Sequence, residues 1–195
     1  MRHNRLTTTL MVLGMAAFSG AMLRAISADG QTPATPINKA RVERGAYLVT
    51  MMGCNDCHTP WKMGPQGPEP DATRALTGHP QDMVMPPAPA ASGPWIWHGA
   101  ATNTAFAGPW GVSFTANLTP DPETGLGKWT EEMFIATMRT ARHQGKGRPI
   151  LPPMPVKMIG KATDEDLKSI FAYLQSLAPV KNRVPAPIDP VEEKK

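Results

Sequence analysis

Charged side chains make up only 18% of the 195 residues and hydrophobic ones 41%, both low for an ordinary globular protein. A chain of this length fits one domain, and so small an apolar content implies that something besides its own side chains helps to build the core. Regular structure is limited as well. The 22 prolines and 17 glycines follow no collagen-like period, so a large irregular component is expected. There is no internal repeat and no convincing set of strands. The net charge of +4 overstates the basic character, because Arg2, Arg5 and Arg24 all precede the first carboxylate. Beyond residue 27 the chain has 17 basic and 16 acidic side chains, which read as single charges scattered over polar helices and tails. Nucleic-acid binding thereby loses its main support.

Residues 1–28 have a short basic start, an apolar stretch from Leu6 to Leu23 and small residues at Ala25 and Ser27, the pattern of a secretory signal. An uncleaved membrane anchor is the rival reading, and either places the rest of the chain outside the cytoplasm. Residues 29–37 read as a linker, 38–180 as the folded domain and 181–195 as a flexible tail. Within the domain, residues 60–99 carry nine prolines and form a Pro-rich loop insertion. Three helices are expected. One runs from Asn38 to Met52, with Val42, Ala46 and Val49 on one face and a stop at Gly53. Another covers Trp129 to Arg142, with Thr130 as N-cap and Phe134, Met138 and Ala141 on one face. The last starts at the Thr163-Asp-Glu-Asp166 cap and keeps an apolar period from Leu167 to Leu177.

Both cysteines fall in Cys54-Asn55-Asp56-Cys57-His58, the C-x-x-C-H pattern of covalent c-type haem attachment. Composition alone would yield roughly 0.0005 such strings in a chain of this length. Two thiols three positions apart reach the two vinyl groups on one edge of a porphyrin, and the adjacent imidazole then lies beneath the iron. A disulfide, a thioredoxin-like dithiol or half of a zinc site would be the other uses of the pair. Zinc would want further ligands close by, and a thioredoxin motif a preceding strand.

With this motif, the stretches Arg44-Gly-Ala-Tyr-Leu48, Ala116 to Trp129, Leu151-Pro-Pro-Met-Pro155 and Asp164 to Leu177 resemble those of bacterial class I mono-haem c-type cytochromes. The likeness is greatest to those that serve membrane-linked dehydrogenases, and it covers roughly residues 44–185. The resemblance implies a mainly α, class I cytochrome c fold: three or more helices around one covalent haem, with long Pro-rich loops. It also implies that the first helix crosses the last, with Gly45 allowing close approach and Tyr47, Phe171 or Leu174 packing there. The Pro-rich segment after the haem motif is longer than the family's.

A Met thioether as sixth iron ligand would close the site and raise the reduction potential. After His58 the choices are Met63, Met83, Met85, Met133, Met138, Met154 and Met158. Met133 and Met138 fall on a helix, where a core role is the simpler reading. Met154, held between Pro153 and Pro155, also matches the family's ligand position; Met158, Met83, Met85 or a histidine are the alternatives. The expected site is thus Cys54, Cys57, His58 and Met154 around one covalent haem c. His79, His98 and His143 could form a bis-His site, but they read more simply as hydrogen-bonded surface groups. Trp95, Trp97, Trp110 and Trp129 read as haem walls. Arg142, Lys146 and Arg148 could neutralise haem propionates. Asn117-Leu-Thr119 matches a glycosylation sequon, and Asp121 to Gly125 reads as a turn rather than a calcium loop.

No catalytic acid or base is visible. The expected function is therefore a periplasmic one-electron carrier between a dehydrogenase or quinol-oxidising complex and an oxidase or reductase, meeting both through small transient interfaces. A peroxidase-like haem enzyme, with His98 as its distal group, or a haem-based sensor is the alternative. The sensor reading lacks a signalling domain after residue 179.

Overall fold

The structure, a computed structural model, describes residues 38–88 and 93–190. The expected signal or anchor (1–28) and linker (29–37) lie outside the described residues. Among those described, no helix is long and apolar enough to cross a membrane.

The three expected helices are present. Helix α1 spans Lys39–Met51, and the Asn38 side chain accepts from the Ala40 amide to cap it. Two shorter helices and two longer ones follow: α2 (Cys54–His58), α3 (Glu131–Thr140), α4 (Val156–Ile159) and α5 (Asp164–Ser176). Thr130 caps α3 through the Met133 amide, and Thr163 caps α5 through the Asp166 amide. Helix α1 lies against α5, burying Gly45, Leu48 and Val49 against Ile170, Phe171 and Leu174. Gly45 is where the two backbones touch, since a Cβ there would run into the Ser169 carbonyl and Tyr173. Tyr47, by contrast, points outward with 56% of its surface exposed, under the Arg44 guanidinium 5.6 Å from its ring centre. Ion pairs from Arg41 to Glu131 and Glu165, and from Arg44 to Asp166, flank the crossing.

The mainly α, class I cytochrome c architecture is not what is found. Five short strands form two antiparallel sheets, which the sequence reading did not anticipate. Strands β1 (Trp61–Gly64) and β2 (Gly67–Pro70) make a hairpin, whereas β3 (His98–Gly99), β4 (Ala105–Gly108) and β5 (Gly111–Phe114) make a three-stranded sheet in that order. Proline and glycine keep these stretches out of helices, and tight turns at Gly67 and Gly111, both with positive φ, fold them back on themselves. The 60–99 segment is thus in part structured, and β5 supplies part of a cavity wall.

Nor do residues 181–190 hang free as a tail. Ile188 forms an antiparallel bridge with Val112 on β5, and Asn182 is buried. Its side-chain amide donates to the Thr77 and His79 carbonyls, while its oxygen accepts from the Gln81 amide at 2.9 Å.

Candidate haem site

Two residues beyond the end of α1 lies Gly53, whose left-handed backbone (φ 67°) turns the chain directly into α2. One turn of helix then carries Cys54, Cys57 and His58. Beyond it, three irregular segments are laced together. The Gly78 amide donates to the His58 carbonyl at 2.8 Å, the His79 amide to Thr115 at 3.0 Å, and the Leu118 amide to Leu76 at 2.9 Å. Gly78 permits this approach: its φ is 77°, and a Cβ would strike the Thr115 and Ala116 carbonyls. Fully buried Leu76 also has positive φ (60°), a conformation that costs energy unless its surroundings fix it. The lacing brings the Ala116 carbonyl 2.8 Å from His58 Nδ1.

That contact decides what the imidazole can do. Nδ1–H donates to the carbonyl, so the lone pair lies on Nε2, and burial lowers the pKa of the ring against the weaker opposing effect of the Ala116 hydrogen bond. The side chain is a neutral, oriented imidazole able to offer its Nε2 lone pair. The cysteines are both free. Burial pushes the Cys54 thiol up to about 11, and burial followed by the Asp56 charge raises Cys57 as well. A redox-active dithiol has the opposite tendency, and helix α1 rather than a strand leads into the motif. Among the described residues no group of three or more His, Cys, Asp or Glu is placed to hold a metal ion.

Cys54, Cys57, His58 and Met154 all line one cavity of about 370 Å³. Its walls are largely apolar, with Leu126, Phe134, Ile170 and Leu174 from three parts of the chain. The Met154 loop is held by two contacts: the Val156 amide donates to the Met154 carbonyl at 2.8 Å, and the Ser113 hydroxyl donates to the Pro152 carbonyl at 2.6 Å. Of the other methionines weighed after His58, only Met138 reaches the cavity; Met158 is 59% exposed, and Met63, Met83, Met85 and Met133 lie elsewhere. Met52, at the end of α1, is a lining residue that the sequence reading did not weigh.

The remaining expectations divide. Trp129 lines the cavity, edge-on to His143 at 5.0 Å, and Arg148 lines it too. Trp95 and Trp97 do not wall it: they flank a separate exposed cleft, with Trp95 67% exposed, and Trp110 is also outside the lining. Arg142 and Lys146 lie outside it as well. His79 is not a surface group as expected: it is fully buried with both ring nitrogens engaged, by Thr104 and the Met83 carbonyl. His98, the distal group of the enzyme reading, is outside the cavity. Asn117 is buried and its amide donates to Thr124 and the Val180 carbonyl, so the sequon is closed to a glycan. Asp121 accepts from the Glu123 and Thr124 amides, as a turn residue does.

These residues fit a haem. The donor set is two thiols, a neutral imidazole and a thioether around an apolar cavity, and the Thr115 hydroxyl in its wall is buried without a hydrogen-bond partner.

No family model matches the chain. It is 25% identical over 159 residues, 81% of its length, to the cytochrome c subunit of a quinone alcohol dehydrogenase from Gluconobacter oxydans, of which it covers 26%. It is 25% identical over 176 residues, 90% of its length, to the cytochrome subunit of fructose dehydrogenase from Gluconobacter japonicus, of which it covers 29%. A shorter match, 36% identity over 86 residues, joins 44% of the chain to 7% of a nicotinate dehydrogenase subunit from Pseudomonas putida. The chain thus spans at most about a third of the length of these relatives. The chain carries a C-x-x-C-H helix opening on an apolar cavity, and over most of its length it is similar to the cytochrome c subunits of dehydrogenases.

Proposed function

We propose that the chain is a one-electron carrier with a single haem c, joined to Cys54 and Cys57 by thioether bonds and ligated by His58 Nε2 and the Met154 sulfur. The carrying observation is that these four side chains, distant in sequence only for Met154, line one apolar cavity whose imidazole is already oriented by the Ala116 carbonyl. When bound, the haem supplies the Fe(III)/Fe(II) couple.

The chain's own residues do the rest. Cys54 and Cys57 tether, and their rigid spacing on one helical turn fixes the approach of the ring. His58 stays neutral and directed because its other nitrogen is engaged. Met154 is held by prolines on either side and by Ser113 beneath its loop. Leu126, Phe134, Ile170 and Leu174 exclude water, which favours the less charged reduced state and keeps rearrangement between the two states small. Arg148 at the wall is a counter-charge for a propionate. A dehydrogenase is the upstream partner, by analogy with the relatives, and an oxidase or reductase the downstream one. Residues 1–28 support a site of action outside the cytoplasm.

The test is the visible spectrum of the purified protein, oxidised and dithionite-reduced, before and after carbon monoxide. A c-type reduced spectrum that carbon monoxide leaves unchanged, with the weak red Met-to-Fe(III) charge-transfer band on oxidation, is expected. A spectrum that shifts with carbon monoxide would replace this reading with an open-site enzyme or sensor.

A further inference from the structure

The hydroxyl and amide side chains in the wall of the haem cavity are, with one exception, already engaged by the protein. The Ser113 hydroxyl donates to the Pro152 carbonyl at 2.6 Å and the Thr137 hydroxyl to the Met133 carbonyl at 2.7 Å. The Thr124 hydroxyl donates to the Asp121 carboxylate at 2.7 Å, and the Asn117 amide to the Val180 carbonyl at 2.8 Å. The exception is Thr115, whose hydroxyl is buried in the wall without a partner among the described residues. A buried donor with no acceptor destabilises a fold, and native proteins rarely leave one so.

Backbone contacts fix where this side chain stands. The Thr115 amide donates to the Thr104 carbonyl at 2.9 Å, and the Thr115 carbonyl accepts from the His79 amide at 3.0 Å. A β-branched side chain on a backbone held at both groups has little freedom about its first torsion. The neighbours along the chain define its level in the cavity. Two residues earlier, Ser113 supports the loop that carries Met154; one residue later, the Ala116 carbonyl holds His58 Nδ1 at 2.8 Å. The end of β5 thus passes from the thioether side of the cavity to the imidazole side. Thr115 lies between the two, level with the rim of a ring that both would ligate.

A haem c offers few acceptors at its rim. Its pyrrole nitrogens are taken by the iron and its vinyl groups by the thioethers, which leaves the two propionate carboxylates. An ionised carboxylate is also the stronger acceptor for a hydroxyl. We propose that Thr115 is a positioning residue whose hydroxyl donates to one haem propionate inside the cavity. The proposal rests on the haem c reading and adds a buried, neutral donor to the exposed Arg148 counter-charge. Salt screens an exposed guanidinium, whereas an enclosed hydroxyl keeps its bond at any ionic strength. By drawing on the carboxylate's negative charge, the donor weakens the field that favours Fe(III), and the potential rises.

The experiment compares the native holoprotein with Thr115→Val, which keeps the shape and removes the hydroxyl, and with Thr115→Ser, which keeps the hydroxyl. Resonance Raman spectra should show the propionate bending band at lower frequency in Thr115→Val and at its native frequency in Thr115→Ser. Spectroelectrochemistry should show a lower potential in Thr115→Val alone. The red charge-transfer band and the indifference to carbon monoxide should persist in all three, because neither axial group is altered. A native Raman band and native potential in Thr115→Val would overturn the proposal and leave the hydroxyl to a water molecule. Loss of the charge-transfer band with the propionate band unmoved would overturn it in favour of the Met154 sulfur as acceptor. A measurement on the native protein holds whether or not the variants fold. Proton NMR of the reduced holoprotein should show nuclear Overhauser contacts between Thr115 and the propionate methylene protons, and their absence would overturn the proposal. Failure of the underlying haem c reading shows separately, as a reduced native spectrum that lacks c-type bands or shifts with carbon monoxide.

Discussion

A thioether between two prolines gives up little conformational freedom when it is fixed, and this is what separates Met154 from the other sulfurs of the chain. Met158, only four residues on, is turned to solvent by α4. Met154→Ala should therefore keep the haem attached, abolish the red charge-transfer band, admit carbon monoxide and lower the potential on the order of 100 mV. Spectroelectrochemistry checks this, and an unchanged potential would move the ligand to Met138 or Met52, the other methionines of the cavity. Cys54, Cys57 and His58 were legible in the sequence because five adjacent residues carry their chemistry. The Ala116 carbonyl that orients His58 was not legible, since every residue offers a carbonyl and only the lacing through Gly78 selects this one. A positive φ at Gly78 would have been the one local hint.

Helices α1, α3 and α5 announce themselves through Asn38, Thr130 and Thr163, side chains that satisfy first-turn amides, and through apolar spacing on the buried face. The strands gave no such signal. Each has four residues or fewer, and β2 reads Gly-Pro-Glu-Pro, a sequence whose strand character comes from its partner β1 rather than from propensity. The crossing of α1 and α5 depends on one missing side chain. Gly45→Ala places a methyl group against the Ser169 carbonyl, which neither helix backbone can yield without parting from the other. The cost should be about 1–3 kcal/mol, read as a lower urea midpoint with the slope unchanged.

At the scale of the molecule, residues 181–190 act as a strap. Asn182 joins the Thr77 and His79 carbonyls to the Gln81 amide, and Ile188 extends the edge of β5. A composition rich in proline and charge suggested a loose tail, but buried backbone groups elsewhere require these partners. Asn182→Ala leaves three of them unpaired and should destabilise the protein by roughly 2–4 kcal/mol, measured by thermal or urea unfolding of the holoprotein. A loss below about 0.5 kcal/mol would show that water replaces the side chain without penalty.

The α1–α5 crossing also sets a sequence of events in time. Arg41 and its partner Glu165 are 124 residues apart, and α5 contributes Ile170 and Leu174 to the cavity that α2 opens onto. A contact of such long range cannot form before the C-terminal third of the chain has been made. While the C-terminal third is unmade, the wall built by α5 is absent and the Cys54 thiol is accessible. In the folded chain that thiol is partly buried against the core to which α5 contributes. On the proposed haem c reading, thioether formation is easiest before α5 docks, while the cavity is still open on the side that Ile170 and Leu174 later close.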